Sequence, residues 1–241
     1  MILINNIKDF FSKNLHKTLV VLISLVLYSN TIKHDYVYDD HTYILSNPIV
    51  QSGFTGIKYA FTNELYNHLS DFKVKENLLY RPILIISFCL ENGLFGNTPL
   101  SGHIINILLY SLTALFLYDF ILLYFKDHFS KVQILFIVLL FVSHPIHTEV
   151  VANIKSRDEI LSFLFGLISF NKLYKYIKGN KHINLYMSIV FFLLALLSKE
   201  SAISFLGIIV LLLYFLKPFN LKKTFQTLFP YIIAIILLIL T

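Results

Sequence analysis

The sequence predicts an all-α integral membrane protein of about seven transmembrane helices, and three observations carry that expectation. Of its 241 residues, 56% are hydrophobic and only 14% charged, against roughly one quarter charged in soluble domains. Mean hydropathy is +0.70. The apolar residues also gather into runs of the length a bilayer demands, about 20 residues for roughly 30 Å of hydrocarbon. Cys89 is the only cysteine, which excludes an intrachain disulfide, and no Cys/His spacing suits zinc.

The first span, residues 16–33, follows Lys8, Lys13 and Lys17 and lacks a small-x-small cleavage site, so it reads as an uncleaved helix rather than a signal peptide. Further spans are expected at 103–125, 132–147, 159–177, 182–198, 201–217 and 224–241. The one at 159–177 is the least apolar, because Asn171, Lys172 and Lys175 interrupt its second half, although lysines near a helix end can snorkel to the interface. A long external loop, 34–102, separates the first two spans. In it Phe54, Ile57, Phe61, Leu65 and Leu69 recur at steps of three and four, which predicts an interfacial helix lying along the membrane surface. The run "PILIISFCL", residues 82–90, would cover only about 14 Å as a helix before Glu91 and Asn92, and reads as a re-entrant or interfacial piece. Residues 1–241 thus form one polytopic membrane domain.

Charge orients this domain. With the N-terminus in the cytoplasm, the cytoplasmic segments hold twelve of the 20 basic residues and only three acids, Asp9, Asp119 and Asp127. The positive-inside rule favours that arrangement. The formal charge of +6 therefore marks cytoplasmic loops and membrane lipids as partners, and does not indicate nucleic acid.

Three polar clusters then fall on the same external face: "YDD" with Asp39 and Asp40, "HPIHTEVVANIKSRDE" over residues 144–159, and "SKE" with Lys199 and Glu200. A bare pair such as Asp39 and Asp40 reads first as the solvated start of a loop, but adjacent like charges repel and raise the proton affinity of one member, which suits a general base or a metal site. His144 and His147 lack the HExxH spacing, so capping or interfacial packing is the favoured reading for them. Lys155, Arg157, Asp158 and Glu159 sit where a span begins. The acids suit the helix dipole there, whereas Arg157 is unfavourable unless an anion such as phosphate is bound. Lys199 could pair with Glu200 or snorkel, and Arg81 in "YRP" could contact a lipid phosphate.

The order of "VYDDHTYILSNPIV", "LYRPI", "GHIINILLY", "SHPIHTEVVANIKSRDEIL" and "SKESAI" resembles the membrane core of the transmembrane and tetratricopeptide-repeat O-mannosyltransferase-like proteins and their bacterial relatives, in the GT-C superfamily of polytopic glycosyltransferases. The similarity covers about residues 34–210. It implies an inverting transfer of a hexose such as mannose from a polyprenyl phosphate donor to a hydroxyl of a protein or glycan acceptor, on the external or lumenal face. It also implies an acidic residue of the first external loop as the base, here Asp39 or Asp40, and a second acidic motif on Glu149 or Asp158. The donor phosphate would be held by Arg157, with Arg81, Lys155 and Lys199 in reach, and His144, His147 and Glu200 would support the site. A metal, if one is used, would be Mg²⁺ or Mn²⁺ on Asp40, Glu149 and Asp158, since hard cations favour oxygen ligands. The location implied is the inner membrane of a bacterium or the endoplasmic reticulum of a eukaryote.

Members of that family continue into further spans and a soluble repeat domain, so this chain is expected to be the N-terminal part of a longer core. The alternative function is a catalytically inactive scaffold or a binder of lipid-linked sugar. A transporter is disfavoured, because the charges lie at span ends rather than along a mid-membrane pathway.

Overall fold

The computed structural model of the protein describes residues 14–61, 80–216 and 221–239, and among these every regular element is helical. Helix α1, Leu15–Tyr28, runs into a 3₁₀ segment, Ser29–Lys33. The loop that follows carries a π-turn at His41–Leu45, the single turn α2 at Pro48–Gln51 and a 3₁₀ segment at Gly53–Tyr59. Then come α3, Pro82–Phe95; α4, Pro99–Phe125; α5, Lys131–Val142; and the short α6, His147–Ala152. The chain continues through α7, Arg157–Gly179, α8, His182–Ser198, a 3₁₀ segment at Glu200–Ser204, α9, Phe205–Leu216, and α10, Leu221–Ile239.

Local sequence sets these boundaries. Asn47 accepts hydrogen bonds from the Ile49 and Val50 amides ahead of Pro48, and Thr98 caps α4 ahead of Pro99. Ser130 and Gln133 close a reciprocal capping box on α5. Gly96, at φ +73°, and Asn180, at φ +49°, terminate α3 and α7 in the left half of backbone space, where glycine and asparagine are the least strained residues.

Two of the apolar segments, Leu15–Lys33 with its 3₁₀ end and Pro99–Phe125, are long and apolar enough to cross a membrane by length and composition. Pro82–Phe95, Lys131–Val142, His182–Ser198 and Glu200–Leu216 are apolar but shorter. α7 would span about 34 Å at the usual helical rise, but Lys172 and Lys175 dilute its apolar run, as the sequence indicates.

α7 and α8 pack along their length as a hairpin, and α7 also lies against α4. One core joins α7 to α10 through Phe170, Leu173, Phe192, Leu196, Ile209 and Tyr231. Inside it Ser169 and Ser188 exchange hydrogen bonds across the hairpin at 2.8 Å each, and Ser188 Oγ meets the Tyr231 hydroxyl at 2.6 Å. Such small polar contacts hold helices together where both lipid and core are apolar. A second core joins α1, α4 and α5 through Val20, Tyr110, Ala114 and Val138. A third, around Val50, Leu84, Phe88 and Ile154, packs the first loop against α3 and the turn before α7.

Outward faces keep large apolar side chains exposed, among them Phe136 and Leu140 on α5 and Leu211 and Phe215 on α9. An apolar solvent would cover them.

Two expectations change. The interfacial helix of the first loop is, over its described part, a 3₁₀ turn that ends at Tyr59, while Leu65 and Leu69 lie outside the described residues. Gly56 explains the departure: a Cβ there would stand 2.0 Å from the Ile49 carbonyl oxygen, so this backbone is pressed onto α2 rather than free to lie on a surface. The run from Pro82 also does not stop before Glu91. Its helix continues to Phe95 with Glu91 buried inside it.

Gly166 is a point of close approach between α7 and α9, since a Cβ would come within 2.5 Å of the Phe205 ring. Gly166→Ala is expected to destabilise by about 1–3 kcal/mol through overpacking. Gly179→Ala, with open space around it, serves as the control. Thermal unfolding of both variants in detergent checks this.

Candidate functional site: a cluster of charges at one end of the bundle

Four separate stretches of chain deliver charged side chains to one place: the turn after α1, the α3 region, the start of α7 and the link between α8 and α9. The turn is built first. Val37 and Asp40 close it by an Asp40 N–H bond to the Val37 carbonyl at 2.9 Å, and the Val37 amide donates back to Asp40 Oδ2 at 3.0 Å. Tyr38 pays for the tightness with φ +42°, an outlier for an aromatic residue and a position where backbone strain accompanies functional sites.

The two aspartates therefore part company. Asp40 is fully buried, and its Oδ1 accepts the Lys155 amide at 2.8 Å, so it staples the first loop to the turn ahead of α7. Asp39 points out, with 61% of its side chain exposed, and faces Lys155 Nζ at 3.7 Å. Lys155 Nζ is also 3.7 Å from Asp158 and lies over the Tyr43 ring at 5.2 Å.

Arg81, just ahead of α3, is 4% exposed and reaches two acids. It pairs with Asp158, itself 1% exposed, and grips Glu200 with a two-pronged fork, Nε at 3.1 Å and Nη2 at 2.8 Å. Burial alone would lower the Arg81 pKa, but its bonds to Glu200 and the charge of Asp158 raise it. Burial would likewise raise Glu200, yet the same bonds hold it below the ordinary carboxylate value. Lys199 pairs with Glu159.

Arg157 has no solvent contact at all. Glu91 neutralises it at 2.6 Å, Asn106 Oδ1 accepts from its Nε at 2.8 Å, the Gly102 carbonyl from Nη2 at 3.3 Å, and the guanidinium stacks on Phe88 at 4.5 Å. Burial pulls its pKa below the usual guanidinium range, against the opposing charge of Glu91. Tyr36 shares this environment. Burial, then the charges of Glu91 and Asp40, push its phenol up to about 12.

Other expected residues stay apart. Glu149 is exposed on α6, and no ion pair joins it to the cluster among the described residues. His144 is exposed and accepts the Ile146 amide at 3.2 Å. His147 packs on Phe141, 4.3 Å between ring centres, and on Tyr110. It lines a cavity of about 280 Å³ with Tyr110, Phe141, Phe163 and Glu159. Asp40, Glu149 and Asp158 do not gather as a metal-ligand set, and no group of three or more such residues does among those described.

Glu91, Tyr36, Tyr43 and Asn106 were not among the residues singled out from the sequence. A signal existed for Glu91, since an acid inside an apolar helix demands a partner.

Comparison with known proteins finds similar sequences in part of several longer proteins. Protein O-mannosyl-transferase TMTC4 of Mus musculus is 30% identical over 217 residues, 80% of this chain and 28% of its own length. Protein O-mannosyl-transferase TMTC2 of Homo sapiens is 34% identical over 157 residues, 61% of this chain and 17% of its own length. Protein O-mannosyl-transferase TMTC1 of Mus musculus is 34% identical over 152 residues, 61% of this chain and 15% of its own length. The relatives of this chain are protein O-mannosyl-transferases. The chain spans little more than a quarter of the length of these mannosyl-transferases at most. No family model matches it, and no solved structure does.

The buried pair yields a prediction. Glu91→Gln leaves Arg157 uncompensated and is expected to cost about 3–5 kcal/mol, whereas joint replacement by Glu91→Gln and Arg157→Met is expected to recover most of the loss. A double-mutant cycle on unfolding in detergent measures it, and additive losses would sink the assignment.

Proposed function

We propose that this chain is the catalytic membrane core of a glycosyltransferase that moves a hexose, mannose, from a polyprenyl phosphate to a protein hydroxyl on the face opposite the cytoplasm. The observation that carries the reading is the separation of the two aspartates: one exposed carboxylate, Asp39, held at the corner of a strained turn beside a knot of cations. The names of the relatives supply the sugar and the acceptor class. Seven spans and a cytoplasmic N-terminus belong to the same proposal, with the exposed apolar faces and the distribution of lysines in their support. So does membership of the GT-C superfamily.

Physically, a polyprenyl chain is too apolar to leave the bilayer, so the chemistry must come to the membrane face. The acceptor oxygen attacks the anomeric carbon from the side opposite the phosphate, which inverts that carbon. The bond from that carbon to the phosphate oxygen breaks with its electron pair, and Asp39 takes the acceptor proton. A positioned base of this kind contributes about 10²–10⁴ in rate. Asp40 cannot serve as readily, because both of its oxygens already accept backbone N–H groups in a buried setting. Its part is to hold the loop. Lys155, Arg81 and Lys199 face the phosphate as its charge grows, while Arg157, enclosed by Glu91, positions α3 and α7. The cavity beside Glu159 and Phe163 suits the apolar tail.

Asp39→Asn is expected to reduce sugar transfer from polyprenyl phosphate hexose at least about 100-fold with unchanged thermal stability. Asp40→Asn is expected to lower the unfolding temperature as well as activity. Radiolabel transfer in membranes together with thermal unfolding separates the two, and full activity in Asp39→Asn would overturn the base assignment. Orientation has its own check, in which single cysteines replacing Thr148 and Ser201, both exposed, are labelled by an impermeant reagent. Both are expected to react from the side opposite Ser130→Cys, and buried Cys89 is expected to stay silent.

A further inference from the structure

The transfer reading sets Arg81 at the phosphate, yet an acid fills its fork. Arg81 is nearly buried, yet its Nε and Nη2 donate in parallel to the two oxygens of Glu200, whose side chain is 42% exposed. Parallel donation by a guanidinium to two oxygens of one group is how arginine holds a phosphate. Glu200 begins a five-residue 3₁₀ segment directly after the extended Lys199, so it reaches the fork from a short connection and not from the body of a helix.

Charge makes this occupancy consequential. Six carboxylates (Asp39, Asp40, Glu91, Asp158, Glu159 and Glu200) and four cations (Arg81, Lys155, Arg157 and Lys199) converge in the cluster. An arriving phosphodiester meets an excess of negative charge, and two like charges about 4 Å apart repel by several kcal/mol near a protein surface. Of the six, Glu200 is the acid that is both exposed enough to withdraw into solvent and held by a two-pronged guanidinium fork; Glu159, as exposed, is paired with the single ammonium of Lys199. Asp158 and Glu91 are enclosed, Asp40 staples a loop, and Asp39 has the base role.

Resting on the transfer reading, we propose that Glu200 is an internal competitor that occupies the phosphate fork of Arg81 between turnovers and is displaced from it by the lipid-linked phosphate. The donor is a phosphodiester monoanion. Attack by the acceptor hydroxyl forms the new glycosidic bond, the sugar–phosphate bond breaks with its electron pair going to the phosphate oxygen, and the acceptor proton passes to Asp39. The lipid product is then a phosphomonoester. Return of the Glu200 carboxylate to the fork expels this product, and withdrawal of Glu200 admits the next donor. A glutamate carboxylate is ionised at neutral pH and so competes as an anion.

A competitor that fills the fork about nine-tenths of the time weakens apparent affinity about tenfold. Glu200→Gln is therefore expected to bind farnesyl phosphate about tenfold more tightly than the wild type, measured on the full chain in detergent. Asp127→Asn, an exposed acid remote from the site, controls for the change in net charge and is expected to leave affinity unchanged. Should Glu200→Gln fold poorly, Glu200→Asp retains the charge but draws the carboxylate back by one methylene, and a smaller gain in affinity is expected. Inorganic phosphate forms the second arm. Similar fold gains are expected for both, and a wild-type affinity for inorganic phosphate equal to that for farnesyl phosphate would make free phosphate the occupant and overturn the proposal as stated. Binding by the wild type with an equal or lower affinity in a well-folded Glu200→Gln would overturn the role of Glu200 alone. Absence of farnesyl phosphate binding in both would instead remove the transfer reading and this inference with it.

Discussion

A guanidinium without solvent contact needs a counter-charge wherever the chain puts it, and the partnership of Arg157 with Glu91 is the constraint around which this end of the molecule is arranged. The pair joins α3 to the first turn of α7, and its hydrogen bonds to Asn106 and the Gly102 carbonyl bring in α4. Gly102 is part of the same requirement. A Cβ there would come within 2.7 Å of Ile154, so a larger residue would push α4 away from the turn that presents Arg157. Once these helices are fixed, the turn at 153–156 has a set position, and its Lys155 amide becomes the anchor for Asp40.

From that anchor follows the division between neighbours of identical chemistry. Asp40 is drawn inward by two backbone donors, and the compact turn with Tyr38 at positive φ leaves Asp39 at its corner. The electrostatic result is one acid whose charge is spent on holding structure and one whose charge is open to solvent. Lys155 connects the two, since its backbone binds the first and its ammonium faces the second. A displacement of the Arg157 pair would therefore reach Asp39 through one continuous set of contacts.

Composition and hydropathy made the helical, apolar character legible, and charge placement picked out the stretches that converge. Arg81, Asp158, Lys155, Asp39 and Glu200 meet as the clustered motifs suggested. What the sequence hid was direction. Whether Arg157 faces a ligand or a protein acid depends on Glu91, far off along the chain, in a run whose hydropathy made it look like the end of a helix. Nor does a pattern of apolar residues at three and four reveal that Gly56 must sit against the Ile49 carbonyl, which makes the described part of the expected surface helix a 3₁₀ turn. Both misses come from tertiary contacts that override a local pattern.

The same contacts distinguish a site from a polar rim. Loops at a membrane surface are polar by default, and their charges are ordinarily hydrated and worth little when paired. Here Arg81, Glu91, Arg157 and Asp158 are each less than one tenth exposed, and burying them carries a desolvation cost that apolar residues of similar volume would avoid. Stability alone does not account for so many buried charges at one end of an otherwise apolar bundle. The members beside them that reach solvent, Asp39 and Glu200 and in smaller part Lys155 and Lys199, are the groups through which that charge meets the outside of the protein.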